Sequence, residues 1–196
     1  PDKPLIQVTI PEGSTSYEVA KLLNQALPTI NIDIFGEKVF ANGADGKLFP
    51  STYFLLPSHN EEDIVKMMTE TFEKKYTSTF RWTVIPEPLT RRDEVISLAS
   101  IVEGEAKSEE DMKIVAGILL TRLKKGMQLQ VDVAKETYTS RGLPSVPINN
   151  PGLTALGAVL KPTASPYLFY ITGNDGVMYY AKTFEEHKRN IKKYLR

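Results

Sequence analysis

The stretch SLASIVEGEAKSEEDMKIVAG, residues 97–117, decides how the chain is read. It joins the end of one helix to the start of another. Thr90 with Asp93 opens the first, across 91–107. Ser108 with Asp111 opens the second, across 109–125, at the spacing in which a side-chain oxygen caps an orphan backbone N–H. Lys124, Lys125 and Gly126 form a standard stop, cations at the helix C-terminus followed by a glycine. On a wheel of about 100° per residue, Val95, Leu98, Ala99, Val102 and Ala106 make one apolar face. Glu103 and Glu105 fall on its opposite edges, about 160° apart, so a regular helix cannot bring them together as a close pair. A carboxylate bordering an apolar face is partly desolvated, which raises its pKa and suits a general acid. Equally, such an acid can be an ordinary boundary residue facing water. The wheel does not say which of the two faces a cleft. Gly104 between them costs about 1 kcal/mol against alanine, and either permits close approach of a neighbour or a ligand or simply marks a weak turn.

Working outward, LIQVTI (5–10) reads as a strand and PEG as its turn. STSYEVAKLLNQAL (14–27) reads as a helix, with Val19, Leu22, Leu23 and Ala26 on one side and Pro28 beyond its end. A polar, glycine-containing stretch (36–47) precedes LFPSTYFLLP (48–57). Another helix starts at Asn60, capped with Asp63, and repeats apolar residues at Ile64, Met68 and Phe72. IPEP (85–88) is the best linker. Further on, INNPG (148–152) starts a short helix, with Asn150 as N-cap and Pro151 at the first helical position. YLFYIT and VMYYAK flank GNDG, a hairpin signal, and Thr183 with Glu186 caps a last helix to the C-terminus. There is no repeat and no low-complexity tract.

The 196 residues suffice for one large or two small domains with a real core. Lys+Arg and Asp+Glu are equal at 24 each, so no net basic field argues for nucleic acid. The absence of cysteine excludes a disulfide scaffold, a thiol nucleophile and a thiolate metal site. Nothing approaches the roughly 20 apolar residues of a membrane span. The chain begins PDKPLI without Met, and we read it as a fragment whose anchor or targeting segment lies upstream. His59 and His187 have no ligand-spaced companion and read as surface or structural histidines, so no metal is expected.

The combination resembles a known family. LASIVEGEA followed by IVAGILLTRLKKGMQLQVD is similar to the signature of the bacterial endolytic murein transglycosylases, the YceG-like family. TYTSRGLPSVPINNPGL (137–153), ALGAVLKPTASPYLFYI and YAKTFEEHKRNI resemble further family segments in order. Upstream, GKLFPSTYFL resembles another, and VTIPEGSTSYEVAKLL resembles the LysM-like subdomain of these proteins. There are departures: Asp132 is followed by Val133 and Ala134 rather than Pro-Thr, Glu136 stands in place of an Asn, and the segment between 132 and 138 is much shortened.

The resemblance implies an α+β fold: a LysM-like region over 1–86, then a catalytic α+β domain over 87–196. It implies a peptidoglycan lytic transglycosylase that cuts the β-1,4 bond between N-acetylmuramic acid and N-acetylglucosamine and leaves 1,6-anhydro ends. It makes Glu105 the catalytic acid/base, with no metal or organic cofactor, and Glu103 a supporting residue. Gln130, Asp132, Tyr138, Asn150 and Tyr53 are the expected glycan contacts, for Asn150 beside its capping role. Tyr167 reads as core packing, and Arg122 as a partner for Glu103 or Glu105. The expected partners are peptidoglycan strands and cell-wall synthases, outside the cytoplasmic membrane. The alternatives are a non-catalytic glycan-binding scaffold and a hydrolase using Asp132 or Glu103 as a second carboxylate.

Overall fold

The computed structural model describes residues 4–195. Strand β1 (Ile6–Thr9) pairs antiparallel with β2 (Thr52–Leu55), with Ile6 opposite Leu55 and Val8 opposite Tyr53. The alternation in β1 turns Val8 inward, and Tyr53 and Leu55 do the same from β2. Helix α1 (Ser16–Ala26) starts at a Thr15–Glu18 capping box and buries Val19, Ala20 and Leu23 beneath the strands.

Within the stretch read as merely polar lies much of a helix, α2 (Ile32–Ala41). Asn31 caps it by accepting from the N–H groups of Asp33 and Ile34, and Phe35 and Val39 anchor it in the core. Helix α3 (Glu61–Phe80) is capped by Asn60 with Asp63, as the sequence indicates. It is long enough to serve two cores. Ile64, Val65 and Met68 pack with α1, α2 and the strands, whereas Phe72 and Phe80 join a second apolar cluster.

That second cluster is built by α4 (Arg92–Glu105), α5 (Glu109–Lys124) and α6 (Leu153–Leu160). Ser108 caps α5 by accepting from Asp111 N–H, as expected. The start of α4 differs from expectation. Thr90 does not cap through Asp93; Glu94 reaches back instead and accepts from Thr90 N–H, Thr90 Oγ1 and Arg91 N–H. A carboxylate that accepts several donors outcompetes a single hydroxyl cap. The start of α6 also differs. Gly152, not Asn150, occupies its N-cap, because the Asn150 amide is bonded elsewhere.

Strands β3 (Phe169–Thr172) and β4 (Met178–Ala181) form the expected hairpin around 173–176. Helix α7 (Phe184–Tyr194), opened by the Thr183–Glu186 capping box, lies against it. It stops at Tyr194, and residues 1–3 and Arg196 of the expected spans lie outside the described residues.

One close approach fixes how α5 meets the segment after α6. A Cβ placed on Gly117 would lie 2.2 Å from the Thr163 carbonyl oxygen, and Thr163 N–H donates to Lys113 O at 3.1 Å. Backbone cannot yield as a side-chain tip can. Gly117→Ala is therefore expected to destabilise the fold by about 1–3 kcal/mol despite alanine's better helix propensity. Urea unfolding of the variant checks this, and a gain in stability would contradict the packing described.

Candidate active site

Glu105 is the last residue of α4, where the helix breaks into extended backbone at Ala106. Its carboxylate enters a cleft of about 560 Å³ walled by the 130–138 segment, β3 and α7. Tyr170 Oη donates to Glu105 Oε2 at 3.1 Å. Val133 N–H points at Oε1 from 3.5 Å. Burial pushes the Glu105 carboxyl above its ordinary value; the Tyr170 hydroxyl and Val133 N–H pull it partly back, and the charge of Asp132 pushes it up again. Gly104 permits the approach of that segment: a Cβ there would sit 3.0 Å from Val133 Cγ1.

Glu103 goes elsewhere. Its Oε2 accepts from Gly152 N–H at 2.9 Å, at the start of α6, and a Cβ on Gly13 would touch its Cγ. Burial raises its carboxyl too, opposed by the Gly152 N–H and reinforced by Glu12. The two acids therefore diverge as the helical wheel requires, and the one in the cleft is Glu105.

Of the expected glycan contacts, Gln130, Asp132 and Tyr138 line the cleft with Glu105. Tyr138 Oη donates to Asp132 Oδ1 at 2.8 Å, which holds both on the rim. Gln130 adopts a left-handed backbone, φ 50°, with its N–H bonded to Thr137 O. The two others do not reach the cleft. Tyr53 is buried in the N-terminal core and donates to Phe49 O at 2.6 Å. Asn150 is fully buried; its Oδ1 accepts from Leu48 N–H and its Nδ2 donates to Ser14 O, both at 2.9 Å. Both side chains are fully engaged in holding the fold.

Arg122 pairs with neither glutamate. It lies at the cleft, donates to Leu129 O and packs over the Phe169 ring at 5.2 Å. His59 accepts from Leu56 N–H on the surface, whereas His187 is part of the cleft wall, stacked on Phe169 at 5.3 Å. Burial and the nearby Arg122 charge lower His187, so it is neutral at pH 7. Tyr167 stacks on Tyr180, in keeping with the packing reading. Among the described residues no group of three or more His, Asp or Glu could hold a metal ion.

Sequence reading missed Tyr170, although it touches Glu105. It lies 65 residues away in sequence, in a hairpin with several tyrosines and no local cue to single it out.

A desolvated carboxyl at a helix end, oriented by a tyrosine hydroxyl in an aromatic and amide-lined cleft, is the equipment of acid–base chemistry on a polar ligand. The chain belongs to the YceG-like family, whose model matches residues 2–135 and 136–193. It is 28% identical over 190 residues to an endolytic murein transglycosylase of Bacillus subtilis, an alignment covering 85% of this chain and 52% of that protein. It is 26% identical over 254 residues to an endolytic murein transglycosylase of Streptococcus pneumoniae, covering all of this chain and 46% of that protein. The chain thus spans about half the length of the curated relatives it matches. Its fold matches a crystal structure of a YceG-like protein from Listeria monocytogenes, with TM-score 0.81, 23% identity, and coverage of 96% of this chain and 76% of that one.

Proposed function

We propose that this chain is the cutting part of an endolytic peptidoglycan lytic transglycosylase and that Glu105 is its single acid/base. The carrying observation is the Glu105 carboxyl, raised by burial and held by Tyr170 inside an open cleft. The names of the relatives supply the substrate class.

The protonated Glu105 gives its proton to the glycosidic oxygen as the bond from the muramoyl C1 to that oxygen breaks. The muramoyl 6-hydroxyl oxygen then bonds to C1, and its proton returns to Glu105. The product carries a 1,6-anhydro ring, no water is consumed, and the acid ends as it began. One carboxyl suffices, unlike the two carboxylates of ordinary glycosidases. Gln130, Asp132 and Tyr138 contact the sugars beside it. The region over 1–86 is the LysM-like part and 87–196 the catalytic part. Action takes place outside the cytoplasmic membrane, with a tether upstream and cell-wall synthases as neighbours.

Asp132 favours one rival reading. Its charge lies close enough to raise Glu105, so it could activate a water and make the protein a hydrolase. Mass spectrometry of fragments from uncrosslinked glycan strands separates the two. Anhydro-muramoyl ends support the transglycosylase, and hydrated reducing ends establish the hydrolase.

Tyr170→Phe tests the orientation of the acid. Losing the hydroxyl removes a donor that favours the ionised carboxylate, so the Glu105 pKa rises further. Because the first step needs protonated Glu105, the alkaline limb of the kcat/KM profile moves to higher pH. The maximal rate falls about tenfold, the worth of one hydrogen bond to a charged group. An unshifted limb would show that Tyr170 does not act through Glu105.

A further inference from the structure

Arg122 is 5% exposed, yet its side chain forms part of the cleft floor. A buried guanidinium is costly unless a carboxylate and a full set of acceptors surround it. Here the set is incomplete. One bond goes to Leu129 O, the Phe169 ring covers a face, and Nε is buried without a partner. Among the described residues, no Asp or Glu forms an ion pair with it. The other basic side chain in the cleft, His187, is neutral at pH 7. The cleft floor thus holds one fixed positive charge and no protein counter-ion bonded to it.

We propose that Arg122 receives a carboxylate of the substrate, so that the cleft selects carboxylate-bearing glycan over neutral amino-sugar polymers. This rests on the glycan-cleaving reading above. In peptidoglycan the carboxylate comes from one of two sources: the lactyl group of a muramoyl residue stripped of its peptide, or the stem peptide itself. Both present a planar anion to which a guanidinium donates in matched geometry.

The test is a binding titration with the Glu105→Gln variant, which retains the cleft without cutting the ligand. Four ligands of equal sugar length are compared: peptide-bearing strands, amidase-stripped strands with free lactyl carboxylates, the same stripped strands with carboxyls capped as methylamides, and a neutral N-acetylglucosamine oligomer. Carboxylate-bearing strands are expected to bind about ten- to a hundredfold more tightly than capped or neutral ones, the worth of a charge-assisted bond. Tight binding of stripped strands assigns the lactyl group; tight binding of peptide-bearing strands alone assigns the stem peptide. In Arg122→Met this ratio collapses towards one, whereas Arg122→Lys, which keeps the charge but not the planar fork, retains only part of it. A role confined to holding the Leu129 loop would weaken all four ligands equally. The ligand comparison needs no Arg122 variant, so a misfolded Arg122→Met does not rescue the proposal. A less than twofold effect of capping, with no preference for peptide-bearing strands, would overturn it. Failure to bind any of the four would instead count against the glycan reading itself.

Discussion

Replacing Glu105 with glutamine is expected to lower cleavage of glycan strands by about 10²–10⁴-fold, the usual contribution of a positioned general acid. The same change should leave the fold at least as stable at neutral pH. Burial is the first cause of the raised Glu105 pKa, so ionising this carboxyl costs more in the folded protein than in the unfolded chain. The folded state holds the proton more tightly. The stability this provides is complete below the ordinary carboxyl range and is lost as pH rises through the folded pKa. Glutamine does not titrate and escapes that loss. The variant should therefore gain in Tm relative to the parent as pH rises above about 4, the ordinary carboxyl range. An inactive variant that is also less stable at neutral pH would point to a structural role for Glu105.

Asn150→Ala is expected to act the other way, through the fold. The substitution orphans Leu48 N–H and removes a donor from Ser14 O, both inside the protein. The backbone of Asn150 is bonded to the same neighbourhood, accepting from Gly13 N–H and donating to Ser14 O. Ser14 O keeps the Asn150 backbone donor, so only Leu48 N–H is orphaned. At about 1–3 kcal/mol for that group and about 1 kcal/mol for the lost second bond to Ser14 O, the loss is roughly 2–4 kcal/mol and lowers Tm by roughly 10 °C for a chain of this size. Asn150→Asp should be no better, since it keeps an acceptor for Leu48 but sets a carboxylate oxygen against Ser14 O in place of the amide donor and buries a charge. A glycan contact at Asn150 would have predicted lost binding with stability unchanged. Thermal unfolding and strand binding of the same variant distinguish the two roles.

These two residues also show what was legible in the sequence. Signals acting within one turn of helix were readable: Asn60 with Asp63, Ser108 with Asp111, Thr183 with Glu186 and the GNDG hairpin all sit where local chemistry puts them. So was the divergence of Glu103 and Glu105, which follows from helical geometry alone. Helix α2 is hard to read because Gly36, Glu37 and Lys38 blur its apolar spacing, although Asn31 and the Phe35–Val39 pair mark it. The start of α4 is not legible from the Thr90–Asp93 spacing because Glu94, one residue further on, takes the Thr90 and Arg91 donors instead. Asn150 reads as a cap in the sequence because its true partners lie 102 and 136 residues away. Tyr170 was invisible for the same reason. Contacts closed over long stretches of chain leave no periodicity to read.

The most direct test of the central claim is digestion of purified uncrosslinked glycan strands by the parent chain and by Glu105→Gln, with products read by mass spectrometry. The proposed function predicts internal cuts ending in 1,6-anhydro-muramoyl residues from the parent and none from the variant. Equal cleavage by both would contradict the role given to Glu105 and return the catalytic assignment to another group in the cleft.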